Sequence, residues 1–159
     1  MSLSLRMLLR ARTVLPISHP PIADGFVSIK GSRIAEFGAW AELTERQDAK
    51  DLGEVILMPG LVNAHCHLEY SNFAGAIPEP RSFTDWIRVI VDLKRDVDDA
   101  EHCQSWLRGA RETLCHGVTT LSNIETRRDL LPRLWKQTPL RLISYLELIV
   151  LCEKSDSQR

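Results

Sequence analysis

The sequence predicts an α/β protein, with a small unit of strands followed by a parallel sheet whose strands alternate with helices. Three observations carry this. Residues 25–30 and 33–37 each alternate apolar and polar side chains across Gly31-Ser32, the pattern of a hairpin whose glycine supplies a positive φ. After Pro59-Gly60 the pattern changes to strand-like runs, largely apolar or β-branched, at 61–64, 118–121 and 140–151. Between those runs lie stretches with apolar residues at helical spacing, which is the grammar of a parallel sheet.

The elements follow in order. Residues 3–15 read as one or two short strands, and Pro16, Pro20 and Pro21 then form a loop. The hairpin comes next, then a short helical or irregular link at 40–47, then a strand at 51–58 entering the Pro59-Gly60 turn. Residues 1–58 therefore read as a unit of about four strands. Residues 61–64, Leu-Val-Asn-Ala, are apolar except for Asn63, close to what a strand buried on both faces should be. A loop at 69–80 follows, broken by Gly75, Pro78 and Pro80.

Ser82 then caps a helix with Asp85 three residues on, and Phe83, Trp86, Ile87, Ile90 and Lys94 line one face of it. A second helix starts near Asp98 with Glu101 in the capping-box position. Trp106, Leu107, Ala110 and Leu114 mark its buried stripe, and Gly117 ends it. The strand at 118–121 follows, with Asn123 and Glu125 just past its end. Asp129 caps a short helix running to Trp135, with Pro132 in its first turn. Residues 140–151 form the third strand, and 152–159 a polar, disordered tail. Three regions result: 1–58, 59–151 and 152–159.

His65-Cys66-His67 is the stretch that carries chemistry. Side chains alternate along a strand, so His65 and His67 face one way and Cys66 the other. Two imidazoles on one face can share a divalent metal, and imidazole suits zinc, iron, nickel or copper. Both lie at the carboxyl end of a strand, where α/β folds bind ligands. Glu69 and Trp86 are candidate substrate contacts. Cys66 reads as packing, and Glu147 as a carboxylate in or near the end of the third strand. His19 and His102 read as exposed, and His116 as meeting the dipole at a helix end.

Net charge is −1, from 20 basic and 21 acidic residues, which gives no case for nucleic acid or an anionic membrane surface. No apolar run approaches the roughly 18 residues of a membrane span. Arg6, Arg10 and Arg12 interrupt the leucine-rich start, which lacks the core of a secretory signal. The four cysteines show no Cys-x-x-Cys pair and read as reduced thiols of a cytoplasmic protein.

The run Met58-Pro59-Gly60-Leu61-Val62-Asn63-Ala64-His65-Cys66-His67-Leu68 resembles the first-strand motif of the amidohydrolase superfamily. The preceding β unit and Gly117-Val118-Thr119-Thr120 fit the same family. Within it the chain looks most like the heterocycle deaminases and chlorohydrolases. His67-Leu68-Glu69-Tyr70-Ser71 and Ser82-Phe83-Thr84-Asp85-Trp86 look closest to the aminofutalosine-deaminase-like members.

The resemblance implies a (β/α)8 barrel flanked by a β-sandwich, with one or two divalent metals at its mouth, zinc before iron. His65 and His67 would be the first two ligands. The implied reaction is hydrolysis of a C–N or C–Cl bond of a heterocyclic small molecule. A complete barrel has eight strands and about 250 residues, whereas three strands are legible here. The remaining ligands of the family come from later strands. The expectation is therefore an N-terminal fragment, inactive alone, with no catalytic residue of its own and open sheet edges prone to self-association. The competing expectation is a non-catalytic remnant or interaction protein that pairs with another chain. A third is a small open-sheet binding protein with incidental histidines.

Overall fold

The computed structural model describes residues 6–79 and 82–147. The tail at 152–159 and the part of the third strand beyond 147 lie outside the described residues. The chain divides into two compact units, 1–59 and 60–159.

The first unit is a five-stranded sheet of β1 (Arg6–Val14), β2 (Ile22–Lys30), β3 (Arg33–Ala39), β4 (Ala49–Asp51) and β5 (Ile56–Leu57). Its order is β3-β2-β1-β4, with β5 also on β1. The β2–β3 hairpin closes through Gly31 at φ 60°, with Lys30 opposite Arg33. A left-handed residue at this position favours glycine. The strand expected at 51–58 is two short pieces. Gly53 and Val55 turn their carbonyls to the Arg12 and Thr13 amides between them, so the unit has five strands where four were expected. A second, facing sheet is not among the described residues of this unit. Its core is two small clusters, Leu8-Phe26-Leu43 and Ala11-Val14-Val27.

The second unit holds three parallel strands, β6 (Leu61–Cys66), β7 (Val118–Glu125) and β8 (Arg141–Leu146), in that order. Helices α1 (Phe83–Arg95) and α2 (Asp99–Cys115) join β6 to β7, and the four-residue α3 (Leu131–Leu134) lies between β7 and β8. Ser82 and Asp98 cap α1 and α2, and Asp98 with Glu101 completes a capping box. Gly117 follows α2 at φ 82°. Asp129 caps nothing, because a single 3-10 turn (Arg128–Leu130) leads straight into α3 with no side-chain cap.

One face of this sheet carries the core. Trp106, Cys103 and Ala110 of α2 pack with Leu68, Leu121, Leu134 and Leu140, and Cys66 joins them as packing. The opposite face is open. Val62 is 71% exposed, and Ile143 and Tyr145 are exposed with it. The apolar run at 61–64 is therefore covered on one side only, because α2 packs against one face of the sheet and no described element covers the other. Phe83 leaves the buried stripe of α1: it is 75% exposed and stacks on Trp86 with ring centroids 5.8 Å apart.

Candidate metal centre

β6 delivers the histidines. His65 is its penultimate residue, and His67 begins the 3-10 turn Leu68–Phe73 that occupies part of the expected loop. The His65 amide donates to Asn63 Oδ1 at 3.1 Å, where the register with β7 shifts between Asn63 and Cys66. The two imidazole rings converge, with centroids 5.3 Å apart and planes at 69°. Two imidazoles bound through nitrogen at about 2.0–2.1 Å to one tetrahedral ion have ring centres roughly 5 Å apart. The observed spacing fits that arrangement. Nδ1 of His67 is buried with no hydrogen-bond partner among the described residues, and Glu69 Oε1 lies 3.9 Å from it.

The turn after His67 is held from behind. Asn123 Oδ1 accepts from the Leu68 amide at 3.0 Å. The Ser105 hydroxyl donates to the Glu69 carbonyl at 2.7 Å and accepts from the Asn72 amide at 3.0 Å. Gly109 lets α2 approach closely, since a Cβ there would meet the Leu68 carbonyl oxygen at 2.7 Å. Tyr70 stacks on the His67 ring at 4.5 Å and 5°. The Tyr70 hydroxyl accepts from Lys94 Nζ at 3.2 Å. Burial, then the charges of Glu69 and Glu147, holds the Tyr70 phenol protonated far above its ordinary range.

His67 opens onto a cleft of about 400 Å³ lined by Tyr70, Trp86, Ile90, Lys94 and Glu147 among others. Trp86 thus stands on the same cleft as one histidine. Glu147 follows β8, where its amide donates to the Glu125 carbonyl at 2.8 Å, and it is one of the residues that line the cleft.

Several expected positions differ. Glu69 does not line the cleft. It belongs to the 3-10 turn, is 4% exposed, and neither carboxylate oxygen has a hydrogen-bond partner among the described residues. Asn123 and Glu125 lie within β7, because the strand continues to Glu125 and buries Leu121, Asn123 and Glu125 on one face. Trp106 Nε1 and the Ser144 hydroxyl donate to the Glu125 carboxylate at 3.1 and 2.9 Å. Burial nevertheless raises its pKa, against those hydrogen bonds. His102 is buried, since it precedes Trp106 by one turn on the core-facing stripe of α2. Burial lowers its pKa, only partly opposed by Glu69. His116 caps α2 through its own ring, where Nδ1 meets the Glu112 carbonyl at 2.7 Å.

Sequence reasoning missed Tyr70, Lys94 and Ser105. Tyr70 had a signal, for it follows His67 by three residues, one turn of a 3-10 helix. Ser105 had none, because its role depends on how closely α2 approaches the turn. Among the described residues, no group of three or more His, Cys, Asp or Glu is placed to hold a metal ion. The donors brought together are the two imidazoles.

The chain resembles known proteins over most of its length. It is 29% identical over 135 residues to a 5-methylthioadenosine/S-adenosylhomocysteine deaminase of Nitratidesulfovibrio vulgaris, covering 84% of this chain and 29% of that protein. The crystal structure of Helicobacter pylori aminofutalosine deaminase in complex with methylthio-coformycin superposes with a TM-score of 0.69. Identity there is 21%, with 94% of this chain and 37% of that one covered. An adenosine deaminase from Xanthomonas campestris, solved with bound zinc, gives a TM-score of 0.66 at 22% identity, covering 86% of this chain and 33% of that one. These two likenesses show the fold alone, the first strands of a barrel and the sheet that precedes them in the chain. The chain spans about a third of the length of the relatives it matches. The model of the amidohydrolase family matches residues 56–144, a stretch that starts at β5, takes in both histidines and reaches into β8. Strand order, histidine placement and family match agree, and the chain belongs to the amidohydrolase family.

Proposed function

We propose that this chain supplies the first half of a divalent-metal site in a hydrolytic deaminase of nucleoside-like heterocycles. The observation that carries the reading is the convergence of His65 and His67 at 5.3 Å beside the cleft that Trp86 lines. The two histidines would hold the ion, with zinc as the first expectation and iron the second. When bound, such an ion supplies a Lewis acid that activates water for hydrolysis.

The chain's own residues do the rest of the work assigned here. Trp86 and Ile90 offer an apolar wall to a planar ring, and Lys94 and Glu147 are the charged residues beside it. Tyr70 fixes the plane of the His67 ring and, remaining protonated, adds no charge to the site. Deamination is favoured over dechlorination because the curated relative is named a deaminase. A cytoplasmic location belongs to the same reading, since Cys66, Cys103 and Cys115 are free thiols.

Two imidazoles do not complete a catalytic centre. The reading therefore assigns turnover to a barrel with further ligands, and the 159-residue chain alone is expected to bind metal without hydrolysing substrate. Zinc titration of the chain by calorimetry tests the site. Saturable binding that weakens about tenfold or more in His65→Ala and in His67→Ala supports it. Absent binding, or binding indifferent to both substitutions, overturns it. Ammonia release from 5-methylthioadenosine by the zinc-loaded chain would overturn the assignment of inactivity.

A second reading has its own observation. Leu61, Val62, Ile143, Tyr145 and Leu146 are exposed on the two outer strands of the second sheet. Outer strands with apolar side chains pair readily with further strands. The chain is thus also read as one that associates through this sheet, with itself or with another chain.

A further inference from the structure

We infer that Glu69 is a positioning residue for His67, accepting the Nδ1 proton of its ring so that Nε2 is the nitrogen presented to the metal. The inference rests on the metal-site reading above and deepens it. Glu69 is 96% removed from solvent, yet neither of its carboxylate oxygens has a hydrogen-bond partner among the described residues. A buried carboxylate without partners is costly, so such a group points to an interaction that it is kept to make. The complementary vacancy is adjacent. His67 Nδ1 is likewise buried and unpartnered, and it is the ring nitrogen 3.9 Å from Glu69 Oε1. A contraction of about 1 Å brings the pair to the 2.7–2.9 Å of a charge-assisted N–H···O⁻ bond.

Both partners are held in place for that contact. Tyr70 stacks within 5° of the His67 plane, which restricts rotation of the ring. On the other side, Ser105 Oγ holds the Glu69 carbonyl at 2.7 Å, and Asn123 holds the Leu68 amide at 3.0 Å. The Glu69 backbone is thus tethered to α2 through its own carbonyl and to β7 through the adjoining Leu68 amide. A ligating histidine commonly gives its second N–H to a carboxylate, which fixes the tautomer and raises ligand basicity. Glu69 is the carboxylate that this geometry supplies. Its burial also explains why it does not line the cleft, since its task lies behind the histidine.

The test reads the tautomer and the metal affinity separately, on the full chain labelled with nitrogen-15. At pH 8 without metal, the long-range nitrogen–proton spectrum of the wild type should show His67 protonated at Nδ1. In Glu69→Ala that preference should be lost, while the spectrum of His65 stays unchanged. Zinc affinity by calorimetry should fall about 10–100-fold in Glu69→Ala. Glu69→Gln, which keeps an oxygen acceptor of the same reach, should retain the Nδ1–H tautomer and most of the affinity. A wild-type His67 protonated at Nε2 overturns the inference and needs no variant, so a misfolded Glu69→Ala cannot shield it. Unchanged tautomer and affinity in a folded Glu69→Ala overturn it equally. Failure of the wild type to take up zinc overturns the metal-site reading instead, and the tautomer still decides the role of Glu69.

Discussion

His102 and Glu125 are buried ionisable groups whose protonation should be visible in stability. Burial lowers the folded pKa of His102 below its ordinary 6.5. The unfolded chain then binds the extra proton first as pH falls, so the contribution is complete above about 6.5 and is lost below it. Glu125 behaves in the opposite sense. Its folded pKa is raised above the ordinary 4.5, so the folded state keeps a proton that the unfolded chain releases. Its contribution is complete below about 4.5 and declines as pH rises through the folded value. Melting temperatures recorded across pH should show both slopes. His102→Gln should remove the loss below about 6.5, and Glu125→Gln the decline that begins near 4.5. Retention of either slope in its variant would show that another group sets it. Both residues carried a readable pattern. His102 lies one turn before Trp106, and Leu121, Asn123 and Glu125 alternate along one strand face. A polar side chain at such a position reads as surface until the neighbour that covers it is known.

Helix α2 is the element on which the site depends, because it packs against the sheet and clamps the turn that carries Glu69. Two of its residues and its N-cap residue test this. Gly109→Ala would drive a methyl group to 2.7 Å from the Leu68 carbonyl oxygen and 2.3 Å from Ser71 Oγ. Backbone on one side leaves little room to yield, and a loss of about 1–3 kcal/mol is expected in urea titration. The same variant should weaken zinc binding, because the turn after His67 must shift. Asp98→Ala removes a capping box and should cost about 1 kcal/mol with zinc affinity unchanged. Trp106→Ala empties the centre of the core and takes a donor from Glu125, so a loss of about 3–5 kcal/mol is expected. The element itself was plain in the sequence. Asp98, Glu101 and Gly117 mark its ends by chemistry that acts within a few residues. What Gly109 is for was not, because close approach to Leu68 involves a residue about forty positions away.

At the scale of the molecule, the second unit has one face packed by α2 and one face open. Val62, Ile143 and Tyr145 on the open face give a chain that should associate as its concentration rises. Sedimentation velocity should find mass increasing with concentration, and Ile143→Lys with Tyr145→Lys should return it to the monomer. A wild type that stays monomeric throughout would count against association through this sheet. The open face also marks where reading the residues alone misleads. Residues 61–64 have the composition of a strand covered on both sides, and composition reports the environment for which a strand is suited. Which neighbours surround it here is a property of the whole fold. The hairpin at Gly31-Ser32, both helix caps and the histidine pair were legible because each depends on spacing within a few residues. The buried position of Glu69 was not, because it depends on how closely α2 approaches the turn after β6.

A proton held against the face of an aromatic ring is shielded by the circulating π electrons. Ring centres 4.5 Å apart with planes 5° from parallel set the His67 ring against the Tyr70 face, whereas His65 meets the His67 ring at a steep angle. The carbon-bound protons of His67 should therefore resonate upfield of those of His65. The two histidines of the pair become distinguishable by magnetic resonance in the unmodified chain, and their order of response to added metal can be followed one ring at a time.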